Sequence, residues 1–598
     1  MERLAPELFR HRDTCNAYLL TRGREAVVID PGAAGVLDHL AEAGVERVTD
    51  VLVTHHHRDQ VQGLPRLAAH GARIWVPHAE QDLVAAAGEH WQARALDNSY
   101  NSRQDRFSAL DSVPIAGTLV DYACATFAGR AFEVVPTPGH TTGSVTLLTE
   151  VAGARVALAG DLLHGPGRLW SLAATQWSYN GAEGVAATLL SLLDLSRRAP
   201  DLLLTAHGEP IADPAPAIDL LAARLRRLLA ARREHVRLDE LIERPYRELS
   251  PHLLMNRTSE AQSYVLLSES GAALMIDLGY DFAVGAPAGA DRASRRPWLY
   301  SLPALRRQHG VGHVEVVLPT HYHDDHVAGI GLLRAVAGTR VWAAECLVEV
   351  LEHPERFDLP CLWYDPVPVD RTLPLGVPVR WREYELTLHA LPGHTRPAVA
   401  VEVEVDGRRV LAAGDQWGSH DGLQLNYVYT GDFRHGDYDR AVELLWRVRP
   451  DLLLSGHWEP VAVDETYLHA LGRRTADLEA LHRELLPLDE LDLEGGGAAL
   501  ALTPYRSRVA PGQRLRLAAR VRNPLPRAAG LRVRLTLPAG WRATPAEAEL
   551  VLPAGGSDVA RFDVLTDGTA VRRARIGADL WAGGRPLGQL AEALVTVE

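Results

Sequence analysis

The chain carries one series of short polar motifs twice, and this duplication constrains its fold more than any other feature. The first series is THHHRDQ, TPGHT, LAGDLL and LTAHGEP, and the second is THYHDDH, LPGHT, AAGDQW and LSGHWEP. Corresponding residues, such as His140 and His394 or Asp161 and Asp415, lie roughly 250 positions apart, which exceeds the period of solenoid repeats. A repeat of this size indicates two copies of a whole domain.

Each motif follows an apolar stretch, as Val316-Val317-Leu318 precedes THYHDDH. Strand ends that open into loops commonly present functional side chains. We therefore expect the ligand-type residues of each copy to converge along one edge of a sheet. In the second copy these residues are His321, His323, Asp325, His326, His394, Asp415 and His457. Their counterparts in the first copy are His55, His57, Asp59, Gln60, His140, Asp161 and His207.

The ligand-type residues occur in the order HxHxDH, His, Asp and His. They follow an apolar run that ends in Asp30 in the first copy and in Asp277 in the second. This order resembles the pattern of the metallo-β-lactamase superfamily. Glyoxalase-II-like hydrolases are the nearest general pattern. The resemblance implies an α/β (α+β) fold, an αββα sandwich, with a dinuclear metal site at one sheet edge. It also implies a role for each residue. In that family, the counterpart of Asp277 braces the metal loop, and the counterpart of Asp415 bridges two metal ions. One ion would be held by His321, His323 and His394. The other would be held by Asp325, His326 and His457.

The first copy departs from this pattern at Gln60, where the second copy has His326. An amide oxygen is neutral and a weaker ligand than imidazole, so we expect the second metal position there to be weakened or vacant. One metal ion at His55, His57 and His140 is still compatible with the sequence. The first copy therefore holds zero to two ions, and the sequence leaves a working site and a structural remnant both open.

Composition narrows the class of protein. The formal charge of −14 argues against nucleic acid as the partner, because phosphate binding requires a basic surface. The chain contains no lysine, which excludes a Schiff-base amine and a phosphate-loop lysine. Four scattered cysteines fit a reducing cytosol, and the polar N-terminus lacks the apolar core of a signal peptide. The sequence also has no long apolar run that could cross a membrane. We therefore expect a bacterial, cytoplasmic protein without a membrane contact.

The pattern along the chain predicts three parts. Residues 1–235 and 236–492 form tandem metallo-β-lactamase-fold domains, and each closes with an amphipathic helix after its last motif. An insertion between Asp281 and His313 forms either a lid at the site or a plain surface loop. Beyond a glycine-rich joint at residues 494–497, alternating segments separated by Pro and Gly predict an immunoglobulin-like β-sandwich over residues 498–598.

Aromatic residues follow the aspartate of each third motif. Residues that could wall a substrate pocket in the second copy are Trp417, His420, Tyr427 and Tyr429, although aromatic side chains more often simply pack. The first copy has Trp170, Trp177 and Tyr179 in a similar stretch. His56 and Tyr322 occupy the variable position of the first motif, and we expect both to face away from the metal.

These observations predict a metal-dependent hydrolase that is active mainly in the second domain and acts on a small ester, thioester or lactone. The cofactor is two Zn²⁺ ions, or Fe or Mn, because His and Asp ligands do not distinguish these metals. A metal lowers the pKa of bound water from 15.7 to ~7 and so supplies hydroxide as the nucleophile. Asp325 orients this nucleophile, and Asp415 bridges the ions.

Two other functions stay open at this point: an iron-dependent redox protein on the same fold, and a non-catalytic binding scaffold. Among thioesters, one of glutathione is disfavoured, because the basic clamp of glyoxalase II has no recognisable counterpart in the sequence. The sequence does not indicate the oligomeric state.

Overall fold

In the computed structural model, two four-layered units are followed by an all-β sandwich. This agrees with the fold class that the duplicated motifs predict. The structure describes residues 1–94, 108–177, 183–232, 238–282, 289, 291–493 and 499–598. The glycine-rich joint at residues 494–497 and Tyr179 lie outside these ranges.

The first sheet of unit one has seven strands in chain order, antiparallel from β1 to β4 and parallel from β4 to β7. Successive side chains of a strand point to opposite faces, and β3 accordingly places Leu19 in one hydrophobic cluster and Tyr18 and Leu20 in another. The strands are β1 Glu2–Ala5, β2 Leu8–Arg12, β3 Asn16–Arg22, β4 Glu25–Ile29, β5 Arg47–Leu52, β6 Arg73–Pro77 and β7 Gly117–Leu119.

The second sheet of unit one has five strands in the order β12-β11-β10-β9-β8. They are β8 Cys124–Phe127, β9 Arg130–Pro136, β10 Val145–Val151, β11 Ala154–Leu158 and β12 Leu202–Leu204. The helices are α1 Arg58–Val61, α2 Leu64–Ala69, α3 Gln81–Ala85, α4 Ala87–Ala93, α5 Glu183–Arg197, α6 Pro214–Arg232 and α7 Leu238–Glu243, with 3₁₀ helices at Gly35–Ala43 and His78–Glu80.

Three apolar layers hold unit one together. The outer face of the first sheet packs on α2 and the 3₁₀ helix Gly35–Ala43, the two sheets pack face to face, and α5, α6 and α7 cover the second sheet. The amphipathic helix predicted after His207 is therefore confirmed as α6. Helix α7 begins beyond the predicted boundary at residue 235, yet its Leu241 packs in the same cluster as α5 and α6.

Unit two repeats this topology with a seven-stranded and a six-stranded sheet. The first sheet runs in chain order through β13 Tyr246–Ser250, β14 Leu253–Asn256, β15 Tyr264–Leu267, β16 Ala272–Ile276, β17 His313–Leu318, β18 Arg340–Ala344 and β19 Arg371–Leu373. The second has the order β20-β21-β22-β23-β26-β27, formed by β20 Val379–Trp381, β21 Tyr384–Ala390, β22 Val399–Val405, β23 Arg408–Ala412, β26 Leu452–Leu454 and β27 Val461–Ala462. Strands β24 Trp417–Gly418 and β25 Gln424–Leu425 pair separately.

The helices of unit two flank its two sheets. They are α8 Leu302–His309, α9 Asp324–Val327, α10 Ile330–Ala337, α11 Val348–Glu352, α12 Asp437–Val448 and α13 Glu465–Leu485, with 3₁₀ helices at Pro354–Arg356 and Tyr429–Gly431. Apolar residues of α12 and α13 form one cluster with Leu411 and Leu453 of the second sheet. The closing helix predicted for this unit is thus confirmed as α13, whose N-cap Asp464 accepts a hydrogen bond from the Tyr467 amide.

The C-terminal part is a sandwich of a four-stranded and a five-stranded sheet, in the orders β28-β30-β34-β32 and β29-β36-β35-β31-β33. Its apolar core lies between the two sheets and includes Leu517, Val533 and Phe562. The strands are β28 Leu500–Thr503, β29 Arg506–Val509, β30 Arg514–Arg522, β31 Ala529–Thr536, β32 Arg542–Thr544, β33 Glu547–Leu552, β34 Ser557–Leu565, β35 Val571–Ala582 and β36 Arg585–Val597.

The described part of the predicted insertion connects the two units. Arg296 is 1% exposed, and its guanidinium donates to both carboxylate oxygens of Asp121 and to the carbonyls of Thr142 and Ser144 in unit one. Trp298 is buried in the cluster that covers the second sheet of unit one. These residues form an interdomain strut, so the expectation of a plain surface loop is wrong for residues 291–302. Within the described residues, no helix is long and apolar enough to cross a membrane.

Candidate metal centre

The first motif of unit two forms the loop between β17 and α9, and Asp277 at the end of β16 braces it. Asp277 has a left-handed backbone conformation with φ of 59°. Its carboxylate accepts hydrogen bonds from the Thr320 amide at 2.6 Å and the Thr320 hydroxyl at 2.8 Å, and it lies 2.9 Å from Nδ1 of His326. This contact leaves Nε2 of His326 facing Asp415, at 3.2 Å from Oδ1.

Four buried residues form the first ligand group of unit two: His321, His323, His394 and Asp415. One ligand atom from each lies within 4.8 Å of the others. Nε2 of His394 is 3.2 Å from Nδ1 of His323 and 3.6 Å from Oδ2 of Asp415. Residues from three separate loops therefore meet around one point.

The second ligand group consists of Asp325, His326, His457 and again Asp415, also within 4.8 Å. Nε2 of His457 lies 3.0 Å from Asp325 Oδ2 and 3.1 Å from Asp415 Oδ2. Asp415 is the member common to both groups. A carboxylate in this position has two oxygens that can serve two neighbouring cations.

Two buried ligand nitrogens in this cluster, Nε2 of His321 and Nε2 of His323, lack a hydrogen-bond partner. Buried polar groups are nearly always satisfied, and each orphan costs about 1–3 kcal/mol. Imidazole nitrogens and carboxylate oxygens are ligands for divalent transition metals. The residues present thus fit divalent metal ions, which would satisfy these atoms.

The histidines of the two ligand groups differ in the direction of their pKa shifts. Burial lowers the pKa of His321 well below its usual value and that of His323 to about 3, so their nitrogens carry free lone pairs. Burial also opposes protonation of His457, but hydrogen bonds with Asp325 and Asp415 outweigh it and raise the pKa to about 10. Without metal, a proton on His457 therefore neutralises part of the charge in the second group.

Unit one places its own candidate residues in two separate groups, His55 with His57 and His140, and Asp59 with Asp161 and His207. Asp161 Oδ2 lies 3.6 Å from Nε2 of His55 and 3.4 Å from Nε2 of His140. The general arrangement of unit two is therefore retained. Burial opposes protonation of His207, yet its contacts with Asp161 and Asp59 raise its pKa to about 10.

Gln60 is fully buried in unit one, and its Oε1 has no hydrogen-bond partner. Its Nε2 lies 3.4 Å from Asp59 Oδ2. Asp30, the counterpart of Asp277, accepts from the Thr54 amide and hydroxyl but has no imidazole beside it, since glutamine replaces that histidine. Burial accordingly raises the pKa of Asp30 to about 7. The weaker second position expected for this unit stays a prediction.

The variable residues His56 and Tyr322 belong to neither ligand group of their units. Nδ1 of His56 lies 3.0 Å from Oε2 of buried Glu80, and Glu80 also accepts from Thr141 Oγ1 and the Gly143 amide. Burial opposes ionisation of Glu80, but His56 and Thr141 lower its pKa to about 2. This pair ties the first motif loop of unit one to the loop that carries His140.

The aromatic residues predicted to wall a pocket lie in different environments. Trp417 is 2% exposed in the cluster with α12 and α13, and His420 is exposed. Tyr427 and Tyr429 are half-buried and pack against Phe433. A role for these four residues in substrate binding stays a prediction.

In unit one, Trp170 stacks on the ring of His207 at 4.2 Å, and Trp177 is fully buried. An open cavity of about 770 Å³ beside this cluster is lined in part by His164, Arg168 and Glu209. None of the candidate ligands of unit one lines this cavity.

Sequence reasoning missed two residues that position His394. The carbonyl of Asn426 lies 2.6 Å from Nδ1 of His394, and the Asn426 amide group donates to the Asp415 carbonyl. Oε1 of Gln416 accepts from the His394 amide at 3.0 Å. Unit one has Leu162 at the position of Gln416, so comparison of the two copies gave no signal for it.

Charged residues beside the second ligand group were also missed. Arg295 donates to the Tyr280 hydroxyl at 2.8 Å and lies 3.4 Å from Asp324. Burial and the neighbouring Asp325 raise the pKa of Asp324 to about 6. Arg295 and Arg296 are adjacent in sequence, and they contact the metal loops of different units.

The family model of the metallo-beta-lactamase superfamily matches residues 11–207 and 257–457, together about two thirds of the chain. The protein belongs to this superfamily and contains two copies of its domain. This finding confirms the family predicted from the motifs.

Curated relatives match part of the chain. Hydroxyacylglutathione hydrolase of Pseudomonas putida is 33% identical over 149 residues, which are 25% of this chain and 46% of that protein. The hydroxyacylglutathione hydrolase of Stenotrophomonas maltophilia is 30% identical over 223 residues, 35% of this chain and 68% of that protein. The chain spans about half the length of most of the curated relatives that it matches. A metallo-beta-lactamase family protein of Thermus thermophilus is 26% identical in a structural match over 38% of this chain and 82% of its own, with a TM-score of 0.30.

Proposed function

We propose that unit two is a dinuclear metal-dependent hydrolase that acts on a small ester, thioester or lactone. The observation that carries the proposal is the position of Asp415, a buried carboxylate common to two groups of ligand residues. A shared carboxylate is what a pair of neighbouring cations requires, since its charge offsets their repulsion. Clusters of histidines that serve only packing would not need such an acid at their centre.

In this proposal, His321, His323 and His394 would hold one ion, Asp325, His326 and His457 would hold the other, and Asp415 would serve both. Zinc is the first choice, and iron and manganese are compatible with the same ligands. When bound, such ions lower the pKa of coordinated water and polarise a carbonyl group, which supplies the nucleophile and stabilises the developing charge.

The side chains of unit two would fix this chemistry in place. Asp277 and the Asn426 carbonyl hold the rings of His326 and His394 through their second nitrogens, an arrangement that typically accompanies metal-binding histidines. Asp325, 3.0 Å from His457 Nε2, can orient the attacking group and accept its proton. The cluster is largely buried, which strengthens each of these interactions.

The relatives named hydroxyacylglutathione hydrolase support an acyl substrate and the thioester class in particular. Esters and lactones present the same electrophilic carbon, so the proposal extends to them. For unit one we propose a supporting role with fewer bound ions, because Gln60 supplies no imidazole to its second group.

The test uses the full chain, depleted of metal by chelation and then reloaded with Zn²⁺, Mn²⁺ or Fe²⁺ separately. Each form is assayed against an aryl ester, an acyl thioester, a lactone, a β-lactam and a phosphodiester. We expect metal-dependent turnover of at least one of the first three. The Asp415→Ala variant should lose it, whereas Asp477→Ala, at an exposed position of α13, should not.

Three results would contradict the proposal. Stoichiometric iron with visible absorption and no hydrolysis would indicate the redox function that this ligand set also permits. If fully metallated protein turns over none of the five substrates, a binding scaffold would be favoured. Turnover that survives Asp415→Ala would place the chemistry elsewhere in the chain.

A further inference from the structure

A third group of metal-ligand side chains lies outside both duplicated sites. Glu479 and His482 are three residues apart, and thus neighbours on one face of α13. His435 lies in the segment just before α12. One ligand atom from each of the three residues lies within 4.8 Å of the others. This group has no counterpart in the duplicated motifs.

Three of the four ring nitrogens in this group are buried without a hydrogen bond. Glu479 is 6% exposed and His482 is 3% exposed. Nδ1 of His482 and both ring nitrogens of His435 have no hydrogen bond. Since an unsatisfied buried polar atom costs about 1–3 kcal/mol, packing alone does not account for histidine at these positions.

Outer contacts hold the three residues in orientation. Nε2 of His482 lies 2.8 Å from the Tyr429 hydroxyl, which leaves Nδ1 directed to the centre of the group. The Gly436 amide donates to Oε1 of Glu479 at 2.9 Å, and His435 Nε2 lies 3.5 Å from Asp492. Metal-binding histidines usually have such a partner on the second nitrogen.

We propose that His435, Glu479 and His482 form a third metal site, for a divalent transition ion such as Zn²⁺. Two imidazoles and one carboxylate are a ligand set that zinc accepts, with a further position open to water. Calcium and magnesium would be disfavoured, because both prefer oxygen ligands.

The ion would have a structural role. It would fasten α13 to the segment of residues 426–436, which carries Asn426, the residue whose carbonyl orients His394. Asp492, next to the group, is also paired with Arg522 of the sandwich at 2.8 Å. The site therefore lies where the last helix of unit two, the segment behind His394 and the sandwich come together.

The experiment measures metal stoichiometry on the full chain. Metal-free protein is titrated with Zn²⁺ and, in parallel, with Co²⁺, whose visible absorption reports imidazole and carboxylate ligands. We expect His435→Gln/His482→Gln and Glu479→Gln each to bind one equivalent fewer than the unmodified chain. The control His469→Gln, at an exposed position of the same helix, should bind the full number.

Glu479→Gln leaves both rings and the acceptor for the Gly436 amide in place, so it keeps the test valid if the double variant does not fold. Asp415→Ala should lose ions from the duplicated site but retain this one, which separates the proposal from the proposed function. Equal zinc and cobalt stoichiometry in the unmodified chain and in a folded Glu479→Gln variant would overturn the third site.

Discussion

Replacement of Arg296 by methionine tests whether the strut between the two units is as important as its contacts suggest. The guanidinium is nearly inaccessible to solvent and pairs with Asp121 at 2.6 and 2.8 Å. It also donates to the carbonyls of Thr142, at 3.0 Å, and Ser144, at 2.9 Å. Methionine fills a similar length but supplies none of these four bonds.

The main loss comes from the carboxylate of Asp121, which would stay buried without its partner. Removal of one member of a buried ion pair costs about 3–5 kcal/mol. This is a large part of the roughly 5–15 kcal/mol that stabilises a typical domain. We therefore expect local opening of unit one around residues 121–146 to become about 10² to 4 × 10³ times more frequent, at 1.4 kcal/mol for each factor of ten.

Hydrogen exchange followed by mass spectrometry measures this opening peptide by peptide. The control is Arg356→Met, which removes an exposed ion pair with Glu349 at 3.0 Å and should cost less than about 1 kcal/mol. Addition of Asp121→Asn to Arg296→Met should recover part of the loss, because no buried charge is then unpaired. If exchange over residues 121–146 is as slow in Arg296→Met as in the control, the contacts of Arg296 do not stabilise unit one.

Three further predictions concern the metal ligands. His323→Ala should abolish hydrolysis, while His140→Ala should leave most of it, since we assign the chemistry to unit two; equal losses would show that this division is wrong. Gln60→His should raise the metal content of unit one, as counted by elemental analysis, because it supplies the imidazole that unit two has at the equivalent position; an unchanged content would mean that Gln60 already binds metal or that the pocket is closed. Metal uptake by metal-free protein at pH 8 should release protons, because the pKa of His457 is raised to about 10 and this residue must lose a proton to bind. Affinity should therefore increase with pH up to about 10, and calorimetry in buffers of different ionisation enthalpy that detects no proton release would contradict this.

The sequence predicted the family and the duplicated fold, and the structure brings the predicted histidines and aspartates of each unit close together. Closely spaced residues, such as His321 and His323, meet because they lie in one loop after a strand. The distant members of the set, such as His394, followed from the repeated motifs and the resemblance. Contacts between residues that are close in sequence could therefore be predicted from the sequence alone.

Other contacts depend on tertiary structure and left no pattern in the sequence. The Asn426 carbonyl acts through its backbone, so its side chain gives no signal. Arg296 is one of many arginines, and only the packing of the two units shows that its partner is Asp121. His435 is distant in sequence from Glu479 and His482, and spacing alone does not relate them.

The proposed chemistry of unit two depends on a pair of ions that share Asp415. Anomalous diffraction from crystals of zinc-loaded full-length protein, recorded above and below the zinc absorption edge, tests it most directly. Two peaks are expected beside Asp415, one near His321, His323 and His394 and the other near Asp325, His326 and His457, in addition to the peak of the third site at His435, Glu479 and His482. A single peak beside Asp415, or none there, in zinc-saturated crystals would show that unit two does not bind a pair of ions.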